Sequence, residues 1–150
     1  MGKRTWNIYL SGEIHSDWRE RIIDGAGVVG LDVDFNGPVT DHETSDLSGV
    51  RILGEEQQAF WRDRKGAGIN AIRTSSLISG ADVVVVRFGP KYKQWNAAFD
   101  AGYAAALNKP LIILHEEDHD HALKELDAAA NATARTPEQV VEILSYVIAG

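Results

Sequence analysis

Cysteine is absent from the 150 residues, which removes disulfide frameworks and thiolate nucleophiles from consideration. Positive charge is scarce as well: 15 Lys and Arg stand against 22 Asp and Glu, a net charge of −7, and no basic block is concentrated anywhere. A phosphate backbone or an anionic bilayer needs such a block, so no nucleic-acid polymer and no membrane is expected as partner, and a small molecule fits better. No apolar run approaches the roughly 20 residues that cross a bilayer, and the opening MGKRTWNIYL has no signal-peptide core. A cytoplasmic protein is the expectation. The phosphate-binding loop GxxxxGK[ST] is missing, and Gly25-Ala26-Gly27 precedes a strand pattern instead of following one, so it is not a dinucleotide fingerprint.

With 44% hydrophobic residues, a chain of this length can bury a sizeable core, and residues 1–150 are expected to form one domain. A first strand is signalled by TWNIYL, residues 5–10. A helix follows with Trp18, Ile22 and Ala26 on one face and Ser16 or Asp17 placed to cap it. VVGLDVDF, residues 28–35, alternates as a second strand that Gly37-Pro38 ends. Residues 36–49 show neither period and are expected to be a long loop rich in acids and histidine. Two helices are then expected, over 50–64 and 69–79, separated by Gly66-Ala67-Gly68. The β-branched run ADVVVVRF, residues 81–88, implies a central parallel strand covered on both faces. After it come a helix from about residue 95, a strand KPLIILHE, a helix over 119–129, a short strand over 131–134, and a final helix to about residue 148. That last helix is opened by the capping box Thr136-Pro137-Glu138-Gln139.

Strands alternating with helices specify a three-layer, doubly wound α/β fold with about five parallel strands, in the flavodoxin-like order 2-1-3-4-5. Ligands in such sheets bind beyond the carboxyl ends of the strands where the order reverses, here between the first and third strands. The segments leaving those ends are residues 11–17, with Gly12, Glu13 and His15, and residues 89–100, with Gly89, Trp95 and Asn96. Asp100 is the single acid in QWNAAFDAGYAAALNKPLIIL, about one turn into the helix after the third strand, whose face is expected to be Phe99, Gly102, Tyr103, Ala106 and Leu107. It either complements the helix dipole on a solvated face or is a functional carboxylate, kept anionic by that dipole and approached by Tyr9 and Glu13.

IYLSGEI (8–14), ADVVVVRF (81–88) and WNAAFDAGYAAALNKPLI (95–112), with GPVTDHETSD and ARTPEQVVEIL, resemble the nucleoside 2-deoxyribosyltransferase-like families, and most closely their small bacterial YtoQ branch. The resemblance implies that Asp100 stands at the place of the nucleophile, which in the larger families is a Glu, and that Tyr9 is the tyrosine hydrogen-bonded to it. It implies a nucleoside or nucleotide substrate, no cofactor, no metal, and a homodimer or higher homo-oligomer. Two departures stand out. Asp is shorter than Glu by one methylene, about 1.5 Å, and the positions of the acids around the leaving base fall on Thr74 and Gln94 or their neighbours. Substitutes for those acids must come from Glu13, His15, Asp41, His42 or Glu43, with the long loop closing over the ligand.

The implied chemistry is a carboxylate displacing a base to leave a glycosyl-enzyme, which water or a second base resolves. The alternative is a non-catalytic module of the same fold that binds a nucleotide or sugar-phosphate, with Asp100 holding a ribose hydroxyl. HEEDHDH, residues 115–121, suggests a metal, but His119 and His121 cannot share a helix face, and a solvated loop with helix-start charges is the expectation. Among the four tryptophans Trp95 is the one placed to meet ligand, while Arg73 and Arg87 could reach a phosphate or serve as surface ion pairs.

Overall fold

The computed structural model describes residues 4–150, apart from the side chain of His42. Five parallel strands lie in the order β2-β1-β3-β4-β5: β1 (Trp6–Gly12), β2 (Val33–Asn36), β3 (Val83–Arg87), β4 (Leu111–Leu114) and β5 (Ala132–Ala134). The VVVVR of β3 and LIIL of β4 are buried at every position, as apolar runs covered on both faces must be. The order expected from the alternation of elements is the order found.

Helices α1 (Trp18–Val28) and α7 (Pro137–Ala149) cover one face of the sheet, where Trp18, Ile22, Val140 and Leu144 pack on Ile8, Leu10, Val83, Val85, Ile112 and Leu114. The Trp18–Ile22–Ala26 face is buried as its spacing requires. The two helices approach closely at Gly25, where a Cβ would lie 2.9 Å from a Val141 methyl. Thr136 caps α7 by accepting from Gln139 N–H at 3.2 Å, with Pro137 at its start. Neither Ser16 nor Asp17 caps α1, because the Ser16 hydroxyl is engaged by Glu13 instead.

The opposite face departs from expectation in several places. Residues 36–49 are not wholly an irregular loop: α2 (His42–Asp46) and the start of α3 (Ser48–Leu53) occupy half of this region. They are docked on α4 (Ala59–Ser79) by Asn70, whose Nδ2 donates to Ser45 O and Oγ at 3.1 Å each. Helices this short show no apolar period, so the sequence hid them. The helix α4 (Ala59–Ser79) runs unbroken through Gly66-Ala67-Gly68. Gly66 is there for contact and not for a break, since a Cβ would stand 3.0 Å from Asp46 O. In α5 (Trp95–Ala106) the packed face is Ala97, Ala101 and Ala104, while Phe99, Gly102, Ala106 and Leu107 are exposed. An apolar helix does not show which side is inner, and close approach to a valine-rich strand selects alanine there. The helix expected over 119–129 is a 3-10 turn (Glu117–His119) followed by α6 (Lys124–Ala129).

Candidate active site

Successive side chains of a strand alternate between faces, so Tyr9 and Ser11 both leave β1 toward α4 and α5. Ser11 pairs across to Val86, and Gly12 to Arg87, at the carboxyl ends of β1 and β3. That is the place where the strand order reverses. Gly12 has φ +118°, and a Cβ on it would lie 2.1 Å from Arg87 O, so only glycine lets the two strand ends meet.

Asp100 projects from α5 into this junction and is partly buried. Ser11 Oγ donates to its Oδ2 at 2.6 Å. The hydrogen bond expected from Tyr9 is not formed. The Tyr9 hydroxyl is buried, with Thr74 as a hydrogen-bonding neighbour and Asp100 and Arg73 acting on it through charge, and it makes no bond to Asp100. An Asp carboxylate stands about 1.5 Å nearer its own helix than a Glu would, and at that reach it meets Ser11. Burial, then the charge of Asp100, push the Tyr9 phenol upward. Asp100 is the sixth residue of α5, beyond the turn whose N–H groups are open. Burial therefore dominates and raises its carboxyl above the ordinary value, with the Ser11 bond pulling the other way; the helix dipole does not hold it ionised.

Glu13 is 5% exposed and lies in a cradle of its own loop. Its Oε2 accepts from His15 N at 2.6 Å and Ser16 N at 3.2 Å, and its Oε1 accepts from the Ser16 hydroxyl. Burial alone would raise this carboxyl, but those bonds and the charge of Arg87 outweigh it and hold the group below the usual value. Gly89 closes against it, since a Cβ there would lie 2.8 Å from Glu13 Cγ. The loop end is clamped from behind by Arg19, whose Nε, Nη2 and Nη1 donate to Leu10 O, Gly12 O and Glu13 O at 3.1, 3.1 and 2.8 Å.

The β3–α5 loop is tied by Gly89 N donating to Gln94 Oε1 at 3.1 Å and by His119 Nε2 lying 3.2 Å from Gly89 O. His15 meets Tyr92 across the junction, ring centroids 4.8 Å apart at 52°. Trp95, 75% exposed, and Asn96 stand at the rim on the first turn of α5. Asp41 is not turned to this site: it caps α2, accepting from Glu43 N at 3.1 Å and Thr44 Oγ1 at 2.6 Å, which lowers its carboxyl. Glu43 is exposed on α2, and the side chain of His42 lies outside the described residues. Arg73 donates to Gly37 O at 2.6 Å, and Arg87 Nη2 lies 3.6 Å from Glu116.

The HEEDHDH segment is solvated only in part. His115 is fully buried, with Nε2 3.0 and 2.8 Å from the two Asp127 oxygens and Nδ1 2.7 Å from Glu116 O. His115, Asp120 and Asp127 bring one ligand atom each within 4.8 Å of one another. Arg135 stands 2.5 Å from Asp120, so a cation already neutralises that corner and a metal ion would be repelled. Two solvent-open recesses of about 440 and 420 Å³ lie elsewhere, one between β5 and α7 and one beside α3, away from Ser11 and Asp100.

A family model described as nucleoside 2-deoxyribosyltransferase YtoQ matches residues 9–148. The uncharacterised protein YtoQ of Bacillus subtilis (strain 168) is 46% identical over 140 residues, 93% of this chain and 95% of that one. Among solved structures, a 2-deoxyribosyltransferase from Bacillus psychrosaccharolyticus superposes with a TM-score of 0.55 at 14% identity, covering 90% of each chain. A conserved protein from Enterococcus faecalis V583 gives 0.61 at 12% identity, covering 96% of this chain and 99% of its own. These two share the fold.

Proposed function

The chain belongs to the YtoQ family of nucleoside 2-deoxyribosyltransferases, and on that premise we propose that it is an enzyme that cleaves or exchanges the N-glycosidic bond of a nucleoside or nucleotide through Asp100. The observation that supports this most directly is the position of that carboxylate. It is partly buried at the carboxyl ends of β1 and β3, bonded through one oxygen only, and destabilised as an anion by burial. A poorly solvated carboxylate gives up little hydration on attack.

In the proposed reaction a carboxylate oxygen of Asp100 forms an ester bond to the anomeric carbon while the C–N bond breaks. The electron pair of that bond leaves with the base, which takes a proton from a general acid. Water then attacks the same carbon, the ester C–O bond breaks, and the carboxylate is restored as the sugar departs; a second base in place of water gives exchange. Imidazole is the side chain that exchanges a proton most readily near neutral pH, and His15 at the mouth of the junction is assigned the general acid. Glu13, held ionised, anchors the loop that presents His15. Trp95 and Tyr92 supply an exposed aromatic rim for the base.

The exposed Trp95 and Phe99 on α5, with Phe99 stacked at 6.5 Å on the half-buried Tyr103, are assigned to a homodimer or higher assembly. Among the described residues no helix is long and apolar enough to cross a membrane, and a cytoplasmic location is proposed. Incubation with a panel of nucleosides and nucleotides, with chromatography for free base, tests the function. Base release from at least one member, lost in Asp100→Ala, is expected. Binding of a panel member without release from any would favour the module in which Asp100 holds a ribose hydroxyl.

A further inference from the structure

Two features of the junction have no part in that reaction: a serine on the nucleophile and a buried phenol that makes no bond to it. Ser11 is 1% exposed, its backbone is fixed by the pairing of β1 with β3, and its hydroxyl reaches Asp100 Oδ2 at 2.6 Å. Among the described residues no other side chain donates to this carboxylate. Tyr9, two residues back on the same face, keeps its hydroxyl buried and makes no bond to Asp100.

Resting on the nucleophile reading, we propose that Ser11 is the positioning residue of Asp100: it fixes Oδ2 and leaves Oδ1 as the oxygen that attacks the anomeric carbon. A carboxylate free to rotate about its last bond presents either oxygen in many orientations, and one short bond from a strand residue removes that freedom. The hydroxyl serves the charged form. It donates its proton when Asp100 is ionised, which favours the anion against burial in a site with few other donors. The other groups facing the junction are Tyr9 on β1, Thr74 and Arg73 on α4, and Arg19 on α1, and the last three act on Tyr9. Serine rather than tyrosine does this because the nucleophile is Asp and its reach ends at the strand edge.

The test has one arm that needs no substrate. The protein labelled with carbon-13 at Asp side chains is titrated by NMR, with Asp100→Asn assigning the Asp100 signal. Ser11→Ala is expected to move the Asp100 midpoint to higher pH, and Ser11→Thr, which keeps the hydroxyl, to restore it toward the wild type. In base release, Ser11→Ala should lower kcat about 10–100-fold, the loss of one charge-assisted hydrogen bond, with KM little changed and the acid limb of the pH profile moved upward by the same amount as the NMR midpoint. An unmoved midpoint in Ser11→Ala overturns the proposal, as does a kcat within about twofold of wild type. If no panel member releases base from the wild type, the nucleophile reading fails by itself, and the titration still decides whether Ser11 holds Asp100.

Discussion

Gly12→Ala places a methyl group where the ends of β1 and β3 touch, and its cost can be worked from the geometry. The backbone at Gly12 has φ +118°, a region that L side chains resist at about 1–3 kcal/mol. The new Cβ would lie 2.1 Å from Arg87 O and 2.7 Å from Arg87 N, and both atoms are backbone, so no rotamer relieves the overlap. Forcing the strands apart adds about 1–3 kcal/mol of overpacking. It also breaks the Glu13 N to Arg87 O bond of 3.1 Å, worth about 1 kcal/mol. The total of about 3–7 kcal/mol compares with about 5–15 kcal/mol for a whole domain. With a urea slope near 2 kcal/mol per molar, the midpoint should fall by about 1.5–3.5 M. Gly68→Ala is the control: it lies inside α4 with nothing within 4 Å of its Cβ, so it should gain about 0.5–1 kcal/mol. Equilibrium urea unfolding at 25 °C reads both. A Gly12→Ala midpoint within about 0.5 M of wild type would mean that the strand ends do not need glycine there.

The two carboxyls of the site should show opposite pH signatures. Asp100 has a raised folded value, so its favourable contribution is full below the ordinary carboxylate range and is lost as pH rises through the folded value. Asp100→Asn should therefore be more stable than wild type at pH 7, with the difference vanishing in acid; equal thermal midpoints at pH 7 would contradict this. Glu13 has a lowered folded value, so its contribution is present above the ordinary range and disappears as pH falls through the folded value. Glu13→Gln should be less stable at pH 7 and converge with wild type in acid. His115→Leu should cost about 1–3 kcal/mol in urea unfolding, because it strips Asp127 of its partner. Light scattering at micromolar concentration should find a dimer or larger particle that Phe99→Glu dissociates; a wild-type particle at the 16.4 kDa of one chain would remove the assembly proposal.

The sheet was legible because its signals are redundant: the β-branched run at Val83–Arg87 admits a buried parallel strand and little else, and the Trp18–Ile22–Ala26 spacing admits one inner face. Helix α5 was misread because apolar residues lie on more than one side of it, so only contact with the sheet reveals that alanines are inside. Gly66 looked like a break because a sequence does not show whether a glycine ends a helix or admits a neighbour's carbonyl. Asp100 was visible as a lone acid in an apolar helix. Ser11 was not, since serine after a strand is common and only the β1–β3 register brings its hydroxyl to α5. His115 was taken for part of a solvated charge run because its burial depends on Asp127 in α6, twelve residues on.

Intact-mass analysis of enzyme quenched during turnover tests the role of Asp100 most directly, once the panel has supplied a substrate. The wild type should show a population heavier by one glycosyl unit, mapped by peptide digestion to the segment containing Asp100 and missing from Asp100→Ala. Asp100→Asn turning over at the wild-type rate, or an adduct on a different residue, would contradict it.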